Sequence, residues 1–254
     1  MKSLIEIATW ALIAYVGFGV FLFFAQRGML YFPTPRIDHG YAEEVFESNG
    51  EEIVVVVINP GEPRGALYFG GNGDAVALYG GELSTIDGVT FYLVNYRGYG
   101  GSSGSPSETG IFADAGLIFD AVSTRHDDMA VIGRSLGSGV ATWLAAERDI
   151  GRMVLVTPFD SVLAVAAGRF PFYPASLILK DHYDSVGRAD EIDVPTLVLV
   201  AESDNVIPRK HTDRMIDALG ENVTEAIVLG GTGHNTIIGH PLYLPQLEAF
   251  LQGP

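Results

Sequence analysis

The pattern of apolar positions divides the chain into two unequal parts. From Ile7 to Ala25 there is no charged residue; Glu6 closes the run on one side and Arg27 soon after it on the other. As a helix, nineteen residues reach roughly 28 Å, close to the hydrocarbon thickness of a bilayer. The run is apolar on all sides, unlike a core helix with one dry face. It is longer than the apolar part of a secretory leader, and Phe23 and Phe24 stand where small residues would precede a cleavage point. The expectation is a single membrane-spanning anchor over residues 4–26, a Pro-punctuated connection over 27–40 (Gly28 to Gly40) and a globular domain over 41–254. Lys2 lies on one side of the anchor and Arg27 and Arg36 on the other, so charge leaves the orientation open.

Beyond residue 40 the pattern changes to short apolar runs: Ile53–Ile58, Ala66–Phe69, Thr90–Asn95, Met129–Gly133, Arg152–Val156, Thr196–Ala201 and Thr224–Leu229. Runs of this length suit strands buried on both faces. Helical patterns lie between them. Ser105-Pro106-Ser107-Glu108 reads as a capping box with Pro at the first helical position, and the helix it opens places Ile111, Ala115, Ile118, Phe119 and Val122 on one side. Leu136–Arg148 and Arg209–Leu219 are also helical in composition. Alternating strands and helices imply an α/β fold, a mostly parallel sheet flanked by helices, with ligands beyond the carboxyl ends of the strands.

Composition narrows the function. The formal charge of −16 disfavours a nucleic-acid partner and adhesion to an anionic lipid surface. The absence of cysteine excludes a disulfide scaffold, a thiolate metal site and a Cys nucleophile. Neither a metal-binding spacing nor a dinucleotide fingerprint is present, so no cofactor is expected.

The pattern G-x-S-x-G occurs twice. Gly133-Arg134-Ser135-Leu136-Gly137 follows an apolar strand and runs directly into a helix, the strand–turn–helix context of a nucleophile elbow. Gly100-Gly101-Ser102-Ser103-Gly104 is followed by more loop, so Ser102 is read as a turn residue. Serine needs a base and an orienting acid. Asp204, just past the strand Thr196–Ala201, is the expected acid, with Asp160 as the alternative; Asp193 lies at the wrong end of its strand. His234, on the glycine-rich loop after Leu229, is the expected base, whereas His240 is assigned to the start of the last helix. Two amides are needed for a tetrahedral oxyanion. Leu136 N–H is one, and Asn72 N–H, with Gly71 as alternative, is the other.

The order GGNG, NYRGYGGSSGSPSE, GRSLG, ESDNVIP, GGTGHN and a final helix resembles the α/β-hydrolase superfamily over roughly residues 41–252. It is most similar to membrane-anchored serine hydrolases grouped with monoglyceride lipases, serine aminopeptidases and protein depalmitoylases. The resemblance implies Ser135 as nucleophile, Asp204 as acid, His234 as base, and Asn72 with Leu136 as oxyanion hole. One departure is that Gly70-Gly71 stands where relatives usually carry His-Gly. The segment from Asp160 to Asp193 is expected to form a short cap of one or two helices. Its stretch AGRFPFYPASLIL either lines an acyl pocket or packs onto the sheet.

The expected activity is hydrolysis of carboxylic esters or thioesters of acyl or lipid-like substrates through an acyl-enzyme. The rivals are a serine peptidase on the same triad and a catalytically silent anchored binding module. Serine at the elbow disfavours dehalogenase and epoxide-hydrolase chemistry, which uses a carboxylate there. The expected partners are a small acyl or lipid substrate and a membrane; oligomeric state is left open.

Overall fold

A computed structural model describes residues 2–253. The first helix, α1 (Lys2–Leu30), is 29 residues long. It runs into the segment read as a connection, residues 27–40, so that residues 27–30 are still helical and only the stretch after them lacks regular structure. The physical reason is that Arg27, Gly28 and Met29 continue the helix until Pro33 and Pro35 stop it.

One eight-stranded sheet forms the core: β1 (Ala42–Ser48), β2 (Glu51–Ile58), β3 (Arg64–Phe69), β4 (Val89–Val94), β5 (Asp128–Arg134), β6 (Arg152–Val156), β7 (Thr196–Ala201) and β8 (Val223–Leu229). The order is β1-β2-β4-β3-β5-β6-β7-β8. β1–β2 and β2–β4 pair antiparallel and the rest pair parallel. The helices are α2 (Gly80–Leu83), α3 (Glu108–Val122), α4 (Leu136–Glu147), α5 (Val162–Arg169), α6 (Ala175–Ile178), α7 (Arg209–Leu219) and α8 (Tyr243–Gln252).

β2 to β7 are apolar on both faces and buried on both, which divides the core into two layers. Val55 and Val57 pack with Ile111, Ile118 and Leu144 on one side of the sheet. Val56 and Ile58 pack with Leu83, Leu247 and Leu251 on the other. Two strands depart from the expectation of burial. β1, AEEVFES, lacks a continuous apolar run and was not legible as a strand; it is an edge hairpin partner of β2. β8 is the opposite edge, and most of it is exposed or half-buried rather than covered on both faces.

The helix after the second glycine-rich loop also starts later than its sequence suggests. Its N-cap is Ser107, whose hydroxyl accepts from Gly110 N at 3.2 Å, not Ser105. Glu108 therefore does not reach back to a cap. Its carboxylate instead accepts from His182 N (2.6 Å) and Tyr183 N (3.0 Å), tying α3 to the segment after α6. A long-range partner outcompetes the local one because those two amides have no ladder of their own.

α5 and α6 form the cap, lying between β6 and β7 in sequence. The cap meets α1 along its second half. Tyr15 stacks on Tyr173 with centroids 4.6 Å apart, and its hydroxyl donates to Phe172 O. Arg27 forms a two-pronged pair with Asp181 at 2.8 and 3.0 Å. Tyr31 and Tyr183 share a buried hydroxyl contact of 2.9 Å.

Candidate active site

The G-R-S-L-G turn joins β5 to α4. Ser135 stands there with φ 50° and ψ −116°, a conformation that L-residues rarely adopt. The flanking glycines are required by close approach. A Cβ on Gly137 would meet Phe69 O at 2.0 Å, and one on Gly133 would meet Gly137 O at 2.3 Å. The turn is fixed from outside by Ser135 N donating to Val156 O at 2.9 Å. Strain of this kind persists only where surrounding contacts over-determine it.

His234 arrives from the loop after β8. Its Nε2 lies 2.8 Å from Ser135 Oγ and its Nδ1 lies 2.7 Å from Asp204 Oδ2. The other oxygen of Asp204 accepts from Val206 N (2.9 Å) and Ile207 N (2.8 Å), which orients the carboxylate. All three side chains are largely withdrawn from solvent. The sequence-predicted Ser135, Asp204 and His234, separated by up to 99 positions, thus meet in one chain of hydrogen bonds.

The alternatives are engaged elsewhere. Asp160 is buried and bonds His211 Nδ1 (2.8 Å), Arg214 Nη1 (3.0 Å) and Ser161 N (2.7 Å). His240 lies just before α8, with its Nδ1 accepting from Leu242 N. Ser102 is a turn residue, but a buried one: its hydroxyl accepts from Val54 N and donates to Asn95 O, pinning the loop to β2.

Around the expected oxyanion loop, Gly71 and Asn72 part company. Gly71 N donates to Asp74 Oδ2 at 2.6 Å and so is already committed. Asn72 has a different set of bonds. Its carbonyl accepts from Phe32 N (2.9 Å) and Tyr99 OH (2.8 Å), and its Nδ2 donates to Leu30 O (2.8 Å). The end of α1 is therefore fastened directly to this loop. At Gly70, where relatives usually carry His, a Cβ would come within 2.9 Å of Val76. The loop is shaped for glycine.

Two residues escaped the sequence reading. Arg134, inside the G-x-S-x-G pattern, is buried at the end of an apolar strand. Its Nη1 contacts both oxygens of Asp74 at 2.7 and 2.6 Å, and its Nη2 donates to His234 O (3.3 Å) and Asn235 Oδ1 (3.1 Å). One guanidinium thus spans the Gly71 loop and the His234 loop. Burial works against its charge, but Asp74, together with the nearby Tyr79 and Tyr68, outweighs it and raises the group's pKa above its ordinary range. A charged residue ending a strand of six buried positions was the signal, since buried arginine is rare without a partner.

A mostly parallel sheet carrying a strained serine at a strand–helix turn, with a histidine and an aspartate on later loops, defines an α/β protein built around a hydrolase-type elbow. The chain belongs to the α/β-hydrolase superfamily. No family model matches it. It is 34% identical over 247 residues to an uncharacterized protein of Mycobacterium tuberculosis, covering 89% of this chain and 86% of that one. It is 29% identical over 223 residues to alpha/beta hydrolase domain-containing protein 17C of Xenopus tropicalis, covering 83% and 70%. Among solved structures, the esterase from Exiguobacterium antarcticum matches with a TM-score of 0.67 at 16% identity, covering 84% of this chain and all (100%) of that one. The Pyrococcus furiosus esterase Pf2001 matches with a TM-score of 0.66 at 14% identity, covering 87% and 96%. At such identities these two speak for the fold.

Proposed function

We propose that this protein is a membrane-tethered serine hydrolase acting on esters or thioesters of acyl chains. The observation that carries the reading is the Ser135–His234–Asp204 chain of hydrogen bonds, at 2.8 and 2.7 Å, set on a strained turn. In this reading Ser135 Oγ attacks the substrate carbonyl while His234 Nε2 takes its proton. His234 then returns that proton to the leaving alcohol or thiol as the bond to the carbonyl carbon breaks, leaving an acyl-serine. Water, deprotonated by His234, releases the acid and restores the serine. Asp204 holds the imidazole with its Nδ1–H inward and stabilises the imidazolium. The Leu136 and Asn72 amides take the oxyanion, a role for which Gly71 N is poorly placed because Asp74 occupies it.

The tether is α1. Residues 3–30 are long and apolar enough to cross a bilayer, and little of the helix is buried by the protein. Its last turns are bound to Asp181 and Asn72, and Tyr31, the residue after it, to Tyr183. Such contacts suit a retained helix better than a removable leader.

The test is labelling of the full-length protein in detergent with a fluorophosphonate, followed by assay on paired acyl esters and aminoacyl amides. Wild type should label and cleave the esters, and Ser135→Ala should do neither. Labelling that survives in Ser135→Ala overturns the nucleophile, and a preference for amides overturns the substrate class.

A further inference from the structure

Between the last turns of α1 and the cap lies a cavity of about 350 Å³. Leu22, Met29 and Leu30 form one wall, and Val165, Phe170 and Ile178 belong to the other. This size falls at the lower end of small-molecule pockets, roughly 300–1,000 Å³. If a methylene takes about the space of a liquid water molecule, roughly 30 Å³, there is room for roughly a dozen carbons.

The lining offers almost nothing to a polar ligand. Tyr173 and Gln26, its uncharged polar residues, are already spent on backbone groups: the Tyr173 hydroxyl donates to Tyr15 O (3.1 Å), and Gln26 is used at both ends of its amide. Gln26 Nε2 donates to Phe23 O (2.6 Å) and Ile178 O (2.8 Å), and its Oε1 accepts from Lys180 N (2.6 Å). Arg169 is exposed. A polar occupant would lose its hydration without replacement, whereas an alkyl chain loses none.

Two further relationships identify where such a chain comes from and where it leads. Tyr15 sits midway along the charge-free run Ile7–Ala25 and stacks on Tyr173, with Phe172 and Leu177 of the cap standing 83% and 79% exposed. A helix placed across a bilayer with this register carries the tip of the cap into the hydrocarbon of the leaflet facing the domain. At the other end, Leu30 lines the cavity while its carbonyl accepts from Asn72 Nδ2 (2.8 Å). One wall of the cavity is therefore hydrogen-bonded to the candidate oxyanion loop, while the cap that forms the other wall stands beside the charge-free run of α1.

We infer that the acyl chain of a membrane lipid ester enters this cavity sideways from the bilayer and is held between the cap and α1, making the anchor one wall of the substrate site. The inference rests on the acyl-hydrolase reading for its chemistry, but the binding itself does not require turnover.

The experiment compares full-length protein in nanodiscs with Leu22→Trp and Val165→Trp, which fill the cavity from opposite walls, and with Leu12→Trp, which lies on the exposed part of α1. The readout is the ratio of kcat/KM for a twelve-carbon ester over a four-carbon ester. Both cavity variants should lower this ratio at least tenfold, and Leu12→Trp should leave it unchanged. An unchanged ratio in both cavity variants overturns the inference, as does an equal fall in Leu12→Trp. Independently, Ser135→Ala in nanodiscs is irradiated with a monoacylglycerol bearing a diazirine in its chain. Labelled peptides from residues 22–30 and 162–179 support the cavity, and labelling confined to residues 3–14 overturns it. Failure of wild type to hydrolyse any ester would count against the hydrolase reading alone, because photolabelling still judges the cavity.

Discussion

Arg134 places one guanidinium nitrogen within 2.7 Å of both carboxylate oxygens of Asp74, deep beside the serine turn. The pair joins the two loops that flank Ser135, since Asp74 also holds Gly71 N and Arg134 also holds the carbonyl of His234. Removing one member leaves the other as an uncompensated buried charge. Asp74→Asn is expected to cost about 3–5 kcal/mol in unfolding free energy. The double replacement Asp74→Leu with Arg134→Met should recover much of that stability while activity stays low. Denaturant titration of Asp74→Asn measures that cost. Titration of Asp74→Leu, Arg134→Met and the double replacement measures the coupling and an ester assay measures activity; additive losses would show that the two residues are not coupled.

Ser135 trades stability for placement. Because its φ is positive, glycine should fit the turn better than alanine does. Ser135→Gly is expected to exceed Ser135→Ala in stability by about 1–2 kcal/mol, with both inactive. Thermal melts of the two variants, which both lack the hydroxyl, isolate the backbone contribution. Equal melting temperatures would mean the turn is not strained.

The two buried aspartates near His residues should separate cleanly. Asp204→Asn keeps an oxygen for Val206 N and Ile207 N but no longer fixes the imidazole tautomer, so kcat should fall by about 10⁴ with little change in stability. Asp160→Asn should instead weaken the fold by about 1–3 kcal/mol through its lost bonds to His211 and Arg214, leaving ester kcat within a few-fold. The reverse pattern would exchange their roles.

The Tyr31–Tyr183 hydroxyl pair makes a fourth case. Burial pushes the Tyr183 phenol well above its usual ionisation range, so the contact stays neutral under ordinary conditions. Either single Phe replacement leaves one buried hydroxyl unpartnered and should cost about 1–2 kcal/mol, while the double replacement should cost less than the two singles combined. Double-mutant unfolding data decide it.

Much of the fold was legible because the central strands are buried on both faces and read as uninterrupted apolar runs. Arg152–Val156 and Thr196–Ala201 coincide with β6 and β7 to the residue. The edges were harder. β1 carries Glu43, Glu44 and Glu47, because an edge strand with a wet face is not required to be apolar. Ser135, His234 and Asp204 could be singled out from chain order and loop chemistry. Asp74 and Arg134 could not, because their meaning lies in meeting each other across 60 positions. The N-cap at Ser107 was misplaced for a similar reason: the carboxylate of Glu108 is claimed by amides more than 70 residues away.

The contacts at the end of α1 bear on what counts as a folding unit. Asp181 accepts from Arg27 and Glu108 N together, the Tyr183 hydroxyl pairs with that of Tyr31, and the Asn72 side-chain amide donates to Leu30 O. A fragment beginning near residue 41 would leave Asp181 without Arg27, Tyr183 without Tyr31 and Asn72 without Leu30 O, and expose the apolar inner face of the cap. Such a fragment is an incomplete molecule rather than a soluble version of the same one. Opening of the cap and loosening of the helix end should accordingly appear in hydrogen exchange as one cooperative event.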